Sequence, residues 1–83
     1  MFTIRVIDRD SGLPAEDVVV SVSFSGFFGG HTEDVITDEN GEAEFDADPG
    51  EGTVYVSRGG GMFSSSQTAY EGEIKGRKTV YID

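Results

Sequence analysis

One histidine and no cysteine, set among sixteen acidic residues, limit the chemistry open to this chain. His31 sits between Gly30 and Thr32. With no thiolate and no second imidazole to share a transition metal, a zinc-type site is not expected. As a general base His31 needs a nucleophile at hydrogen-bond distance. Ser25 and Thr32 are near in sequence, but nearness along the chain does not make a pair. The expectation is an exposed loop histidine, no catalytic residue and no enzyme.

The carboxylates come next. Asp38-x-Asn40-Gly41 and Asp46-x-Asp48-x-Gly50 resemble fragments of calcium loops. Calcium takes about six to eight oxygens, and the loop that supplies them places acids at alternate positions and ends in a bidentate Glu. Neither run has that layout. Asp8, Asp10 and Asp38, on turns at one end of the molecule, make the one weak calcium set left; ordinary turn chemistry is the competing reading and the expected one. Gly59-Gly60-Gly61 could cradle an anion through backbone amides, but a phosphate loop needs a Lys and a following helix. No cofactor is expected.

The strongest functional lead is apolar. Ser25-Gly26-Phe27-Phe28-Gly29-Gly30-His31 and Arg58-Gly59-Gly60-Gly61-Met62-Phe63-Ser64-Ser65-Ser66 set large side chains in glycine-rich backbone. Either Phe27, Phe28, Met62 and Phe63 fold back to cap a small core, or they form a contact surface, as exposed apolar patches usually do. Met and Phe suit protein contacts. A glycan platform more often uses Trp or Tyr; this chain has no Trp, and Tyr55, Tyr70 and Tyr81 fall in strand candidates.

Short strands must position these groups. Phe2–Ile7 alternates, with Phe2, Ile4 and Val6 on one face. Val18–Phe24 turns Val18, Val20, Val22 and Phe24 inward. Thr32–Thr37 is polar and weak. Glu42–Asp46 carries Ala43 and Phe45, and Thr53–Ser57 carries Val54 and Val56. Gln67–Ile74 puts Tyr70 and Ile74 on one face, and Lys78–Ile82 offers Val80 and Ile82. No apolar period of 3.6 residues persists, so helix is not expected. Ser11-Gly12 and Asn40-Gly41 are turn signals; the second is a strong hairpin signal, because Asn and Gly adopt positive φ cheaply. Pro14 suits the loop before a strand, not a central ladder. If successive strands alternate in direction, the Arg58–Ser66 loop shares its end with the turns at Asp8–Gly12 and Asp38–Gly41, and the Ser25–His31 loop lies at the other end.

A chain of 83 residues makes one domain, 1–83, with a small core. Its net charge of −10 repels phosphate backbones and anionic lipid, so nucleic-acid and membrane partners are not expected. The acids are spread along the chain: a solvated surface explains them, and so would adaptation to high salt. No apolar run reaches the roughly 20 residues of a membrane helix. The start, MFTIRVIDRD, has no basic segment leading into an apolar one, so no signal peptide is read. A full-length chain of this kind is expected in the cytoplasm; otherwise it is an excised domain of an exported protein.

Ile4-Arg5-Val6-Ile7-Asp8, Ser11-Gly12-Leu13-Pro14-Ala15, Val18-Val19-Val20 and Thr37-Asp38-Glu39-Asn40-Gly41-Glu42-Ala43-Glu44-Phe45 together resemble the carboxypeptidase regulatory-like domains. These share a transthyretin-like (prealbumin-like) β-sandwich. The resemblance covers most of residues 1–57 and is loose beyond. It implies a seven-stranded antiparallel Greek-key sandwich and a non-catalytic module attached to other proteins. The same fold includes 5-hydroxyisourate hydrolase, with a His in the first strand, an Arg after the Thr-x-x-Gly turn and a Tyr-Arg-Gly-Ser end. Here those places hold Arg5, Glu42 and Tyr81-Ile82-Asp83, so that activity is not expected. Sandwiches cross-linked by an isopeptide bond need a Lys on the first strand. Arg5 stands there, and a guanidinium is not deprotonated to attack a carboxyl group.

The sequence therefore reads as an all-β interaction module. It would bind a protein partner, or a copy of itself, through the apolar loops or through Lys78–Ile82 as an edge strand. The alternative is a carbohydrate-binding module using an aromatic sheet face, which needs Tyr55, Tyr70 or Tyr81 aligned and exposed.

Overall fold

The computed structural model describes residues 1–25, 30–58 and 67–82. Seven strands run in the order β1 (Phe2–Asp8), β2 (Val18–Phe24), β3 (Val35–Ile36), β4 (Glu42–Phe45), β5 (Gly50–Arg58), β6 (Gln67–Ile74) and β7 (Arg77–Ile82), with no helix among the described residues. They form two sheets. One has three strands in the order β4-β1-β7; the other has four, in the order β3-β2-β5-β6.

Strand direction does alternate along the chain, and this corrects the expectation of a wholly antiparallel sandwich. Odd-numbered strands share a direction. When the first and last become neighbours they must run parallel, and β1 pairs with β7 in parallel from Thr3↔Arg77 to Asp8↔Ile82. The remaining ladders are antiparallel. A parallel pair needs a long connection; here the rest of the chain lies between its two strands.

The core follows the two-residue alternation. Phe2, Ile4 and Val6 of β1, Val18, Val20 and Val22 of β2, Ala43 and Phe45 of β4, Val54 and Val56 of β5, Ile74 of β6, and Val80 and Ile82 of β7 are all buried. Phe2 stacks on Phe45 at 5.1 Å between ring centroids and meets Phe24 edge-on at 5.9 Å, closing one end of the sandwich. Such ring pairs add to the area they bury.

The third strand is much shorter than Thr32–Thr37. Thr32 N–H donates to the Val22 carbonyl, and the Thr32 hydroxyl accepts from Val22 N–H. The ladder then lapses at the exposed acids Glu33 and Asp34 and resumes only at Val35–Ile36. Thr37 ends it and is 2% exposed. Its hydroxyl accepts from Val18 N–H at 2.9 Å and donates to the Ala15 carbonyl at 2.7 Å.

Asn40-Gly41 also differs from its hairpin reading. The turn forms, with Gly41 at φ +74° and Asp38 Oδ1 accepting from Asn40 and Glu42 N–H. The strands it joins, β3 and β4, belong to different sheets. Gly41 presses against β1, where a Cβ would lie 2.6 Å from the Val6 carbonyl oxygen. The turn chemistry was set by local sequence; the change of sheet was set by what β1 and β2 each needed as a neighbour.

Candidate interaction surface

The turns at the end of β1 show what the acidic residues do. Asp8 Oδ1 accepts from the N–H groups of Asp10 and Ser11, and Asp8 Oδ2 accepts from Arg58 Nη2 at 2.9 Å. The Arg58 hydrogen bond, then the two N–H donors, hold the Asp8 carboxyl below the usual aspartate range. Arg58 at the end of β5 therefore shares an end with the Asp8–Gly12 turn, as strand alternation requires. Asp38 closes its own turn in the same fashion. Among the described residues no group of three His, Cys, Asp or Glu is placed to hold a metal, so Asp8, Asp10 and Asp38 are not gathered into a ligand set.

At the opposite end, His31 is exposed and bridges to Ser23 through backbone. Ser25 Oγ donates to the Glu51 carbonyl, and Thr32 Oγ1 accepts from Val22 N–H. An open cleft of about 940 Å³ lies here, floored by Phe24, Val35 and Phe45 and rimmed by His31, Glu33, Asp46 and Asp48.

Phe27, Phe28, Met62 and Phe63, the leading binding candidates, lie outside the described residues. The three tyrosines are described and do not share a face. Tyr55 stands opposite Ser21 on the outer side of the four-stranded sheet. Tyr81 stands beside Ile7 on the outer side of the other sheet and is 51% exposed. Tyr70 pairs with Val54 and turns toward the core.

β7 is the feature the sequence raised that the structure develops furthest. It sits at the edge of its sheet, in unbroken register with β1 over all six residues. The Gly76 carbonyl accepts from Thr3 N–H and the Ile82 carbonyl from Arg9 N–H, each at 2.8 Å. By strand alternation, the backbones of Lys78 and Val80 also face β1. The N–H and C=O groups of Arg77, Thr79 and Tyr81 then point to the other side, where no described strand pairs with them.

The other edges carry devices that discourage pairing. β3 has two residues. β4 has four, with two glutamates among them. β6 is bulged where Val54↔Tyr70 shifts to Tyr55↔Thr68, and it carries Glu71 and Glu73. β7 has neither bulge nor proline, and it is built of Arg-Lys-Thr-Val-Tyr-Ile.

Sequence reasoning missed how the flank beside β7 closes. β6 and β7 part at Lys75-Gly76 into different sheets. Tyr70 lies along β6, where its hydroxyl donates to the Glu73 carbonyl at 3.0 Å, and Lys78 of β7 reaches across with Nζ 4.0 Å from its ring centroid. The one sequence signal near it is that three of the six basic residues, Lys75, Arg77 and Lys78, fall within four positions.

Among the described residues no helix is long and apolar enough to cross a membrane. Compared with known proteins, the chain matches no family model, and no curated protein is similar enough to register as a match.

Proposed function

We propose that this domain is a non-catalytic interaction module that takes up an extended segment of a partner protein as an added strand on β7. The observation that carries the reading is the regular edge at Arg77, Thr79 and Tyr81, which has neither bulge nor proline and is guarded only by the charges of Arg77 and Lys78. An edge of this kind supplies main-chain hydrogen bonds to an incoming strand, and alternate side chains give selectivity.

The sandwich reading supports the same conclusion. The chain changes sheets between β1 and β2, β3 and β4, β4 and β5, and β6 and β7. We take these crossings, with β1 joined to β7, as the Greek-key, prealbumin-like arrangement that the resemblance to carboxypeptidase regulatory-like domains implies. A constant-type immunoglobulin sandwich puts the first, second, fourth and fifth strands in one sheet; here the first and second are in different sheets. Modules of the carboxypeptidase regulatory-like kind, which the sequence resembles, are non-catalytic and work through surfaces. A carbohydrate platform draws no support from three tyrosines that point three ways.

Thr79→Pro tests this. The Thr79 N–H faces away from β1, so proline there spares the β1 ladder while removing a donor from the edge. The expected result is a folded variant that no longer takes up an extended partner peptide. A variant that binds as well as wild type contradicts strand addition at β7.

A further inference from the structure

We infer that the segment received by β7 is a single acidic, β-branched strand, and that it seats over Tyr70 by displacing Lys78. This rests on strand addition at β7 and names the partner's chemistry.

The first argument is a mismatch of layers. Three strands face four. One extended segment beside β7 makes four over four. A folded second copy would have to bring its own β6 and the Lys78-covered Tyr70 to the same flank, whereas a lone strand needs only the free side of β7. The strand count therefore favours one added strand on this flank.

The second argument concerns the side-chain positions. Lys78, Val80 and Ile82 lie on the core-facing side of β7, and the last two are buried. Core-facing side chains of an added strand run alongside them, over the Tyr70 ring that now closes the flank. Lys78 occupies that place, held by a contact with the ring at 4.0 Å. An incoming strand must move the ammonium aside and should give it a carboxylate in exchange. Further along, beside Val80 and Ile82, β-branched side chains match.

The third argument is charge. The chain carries −10 overall, yet Lys75, Arg77 and Lys78 make this edge its one concentration of positive charge. Their present partners are exchangeable. Lys75 pairs with Glu73 at 3.2 Å and Arg77 with Glu42 at 3.1 Å, both cations being mostly exposed, and exposed pairs contribute little. Along an acidic sequence this edge gathers three bases within four positions, with Glu73 and Glu42 as the carboxylates an acidic segment would replace.

The experiment uses three peptides, Ac-Thr-Val-Thr-Val-Glu-Glu-NH₂ and its Lys-Lys and Gln-Gln counterparts, titrated into the ¹⁵N-labelled protein at low salt. In antiparallel pairing the charged end falls beside Arg77 and Lys78. The expected result is slowed exchange of the Arg77, Thr79 and Tyr81 amides and a shift of the Tyr70 ring signals. The Glu-Glu peptide should bind about five- to tenfold more tightly than the Lys-Lys peptide, a preference lost on adding salt and in Lys78→Gln/Arg77→Gln. If all three peptides slow those amides equally, or if the Tyr70 ring does not respond, the acidic-strand inference fails and strand addition stands. If no peptide slows them at millimolar concentration, strand addition itself fails. Concentration-dependent pairing of the protein alone, with the same amides slowed, would replace the peptide with a second copy and overturn the inference.

Discussion

Thr37 shows how much one hydroxyl can hold. It joins the Ala15 carbonyl to the Val18 N–H inside the core, at the point where β2 begins. Thr37→Val keeps the shape and strands both groups without water. The expected loss is roughly 2–4 kcal/mol, read as a melting temperature lower by about 10 °C or more; Thr37→Ser should recover most of it. Glycines offer a paired test. Gly12 and Gly41 share nearly the same positive φ, but a Cβ at Gly12 meets open space whereas one at Gly41 meets the Val6 carbonyl. Gly12→Ala should cost about 1 kcal/mol and Gly41→Ala about 2 kcal/mol or more, as denaturant midpoints will show. Asp8 gives a pH signature. Its carboxyl is held below the ordinary value near 3.8 by Arg58 and two N–H groups. The unfolded chain therefore binds this proton more readily. The stabilisation is fully present above the unfolded value and is lost as pH falls through the lower folded value. Asp8→Asn should flatten that part of the acid limb of the urea midpoint against pH, and an unchanged limb would assign it to other carboxylates.

Among the elements, those with strict alternation were legible. Val18–Phe24 and Gln67–Ile74 have the bounds that pattern and turn residues indicate, and β1, β4, β5 and β7 differ by one residue or a few. Inward positions follow because a half-buried strand exposes one face only. What local pattern does not carry is who stands beside whom. The Asn40-Gly41 turn is a property of two residues; that it connects two sheets depends on β1 and β2. The parallel β1–β7 pair joins the two ends of the chain, and no window of sequence contains both. Tyr70 reads as a strand residue sharing a face with Ile74; that it packs partly against the core under Lys78 depends on where β6 and β7 part. The edge of β7 was legible as a candidate because Lys78–Ile82 ends the series of strands. Its regularity emerged only from the register with β1. Val80→Pro, which removes a donor facing β1, should unfold the domain under conditions where Thr79→Pro stays folded; equal damage from both would mean that the two faces of β7 are not distinct.

At the scale of the whole molecule, a small core carries a large charge of one sign. Among the described residues fourteen buried apolar side chains make one cluster, and a net charge of −10 opposes their packing through self-repulsion. Screening should relieve this. The urea midpoint is expected to rise between about 0.05 and 1 M NaCl as the Debye length shortens; a flat or falling midpoint would mean that the surface acids are balanced locally. The same field narrows the choice of partner, since it leaves one flank where an acidic segment meets positive charge. Function in this reading comes from an unequal pair of sheets, and the most direct test needs no partner. Amide hydrogen exchange along β7 in the isolated protein should alternate, with Lys78, Val80 and Ile82 slow and Arg77, Thr79 and Tyr81 fast. Uniform protection of all six would show that the edge is already covered, and would contradict β7 as the place where a strand is received.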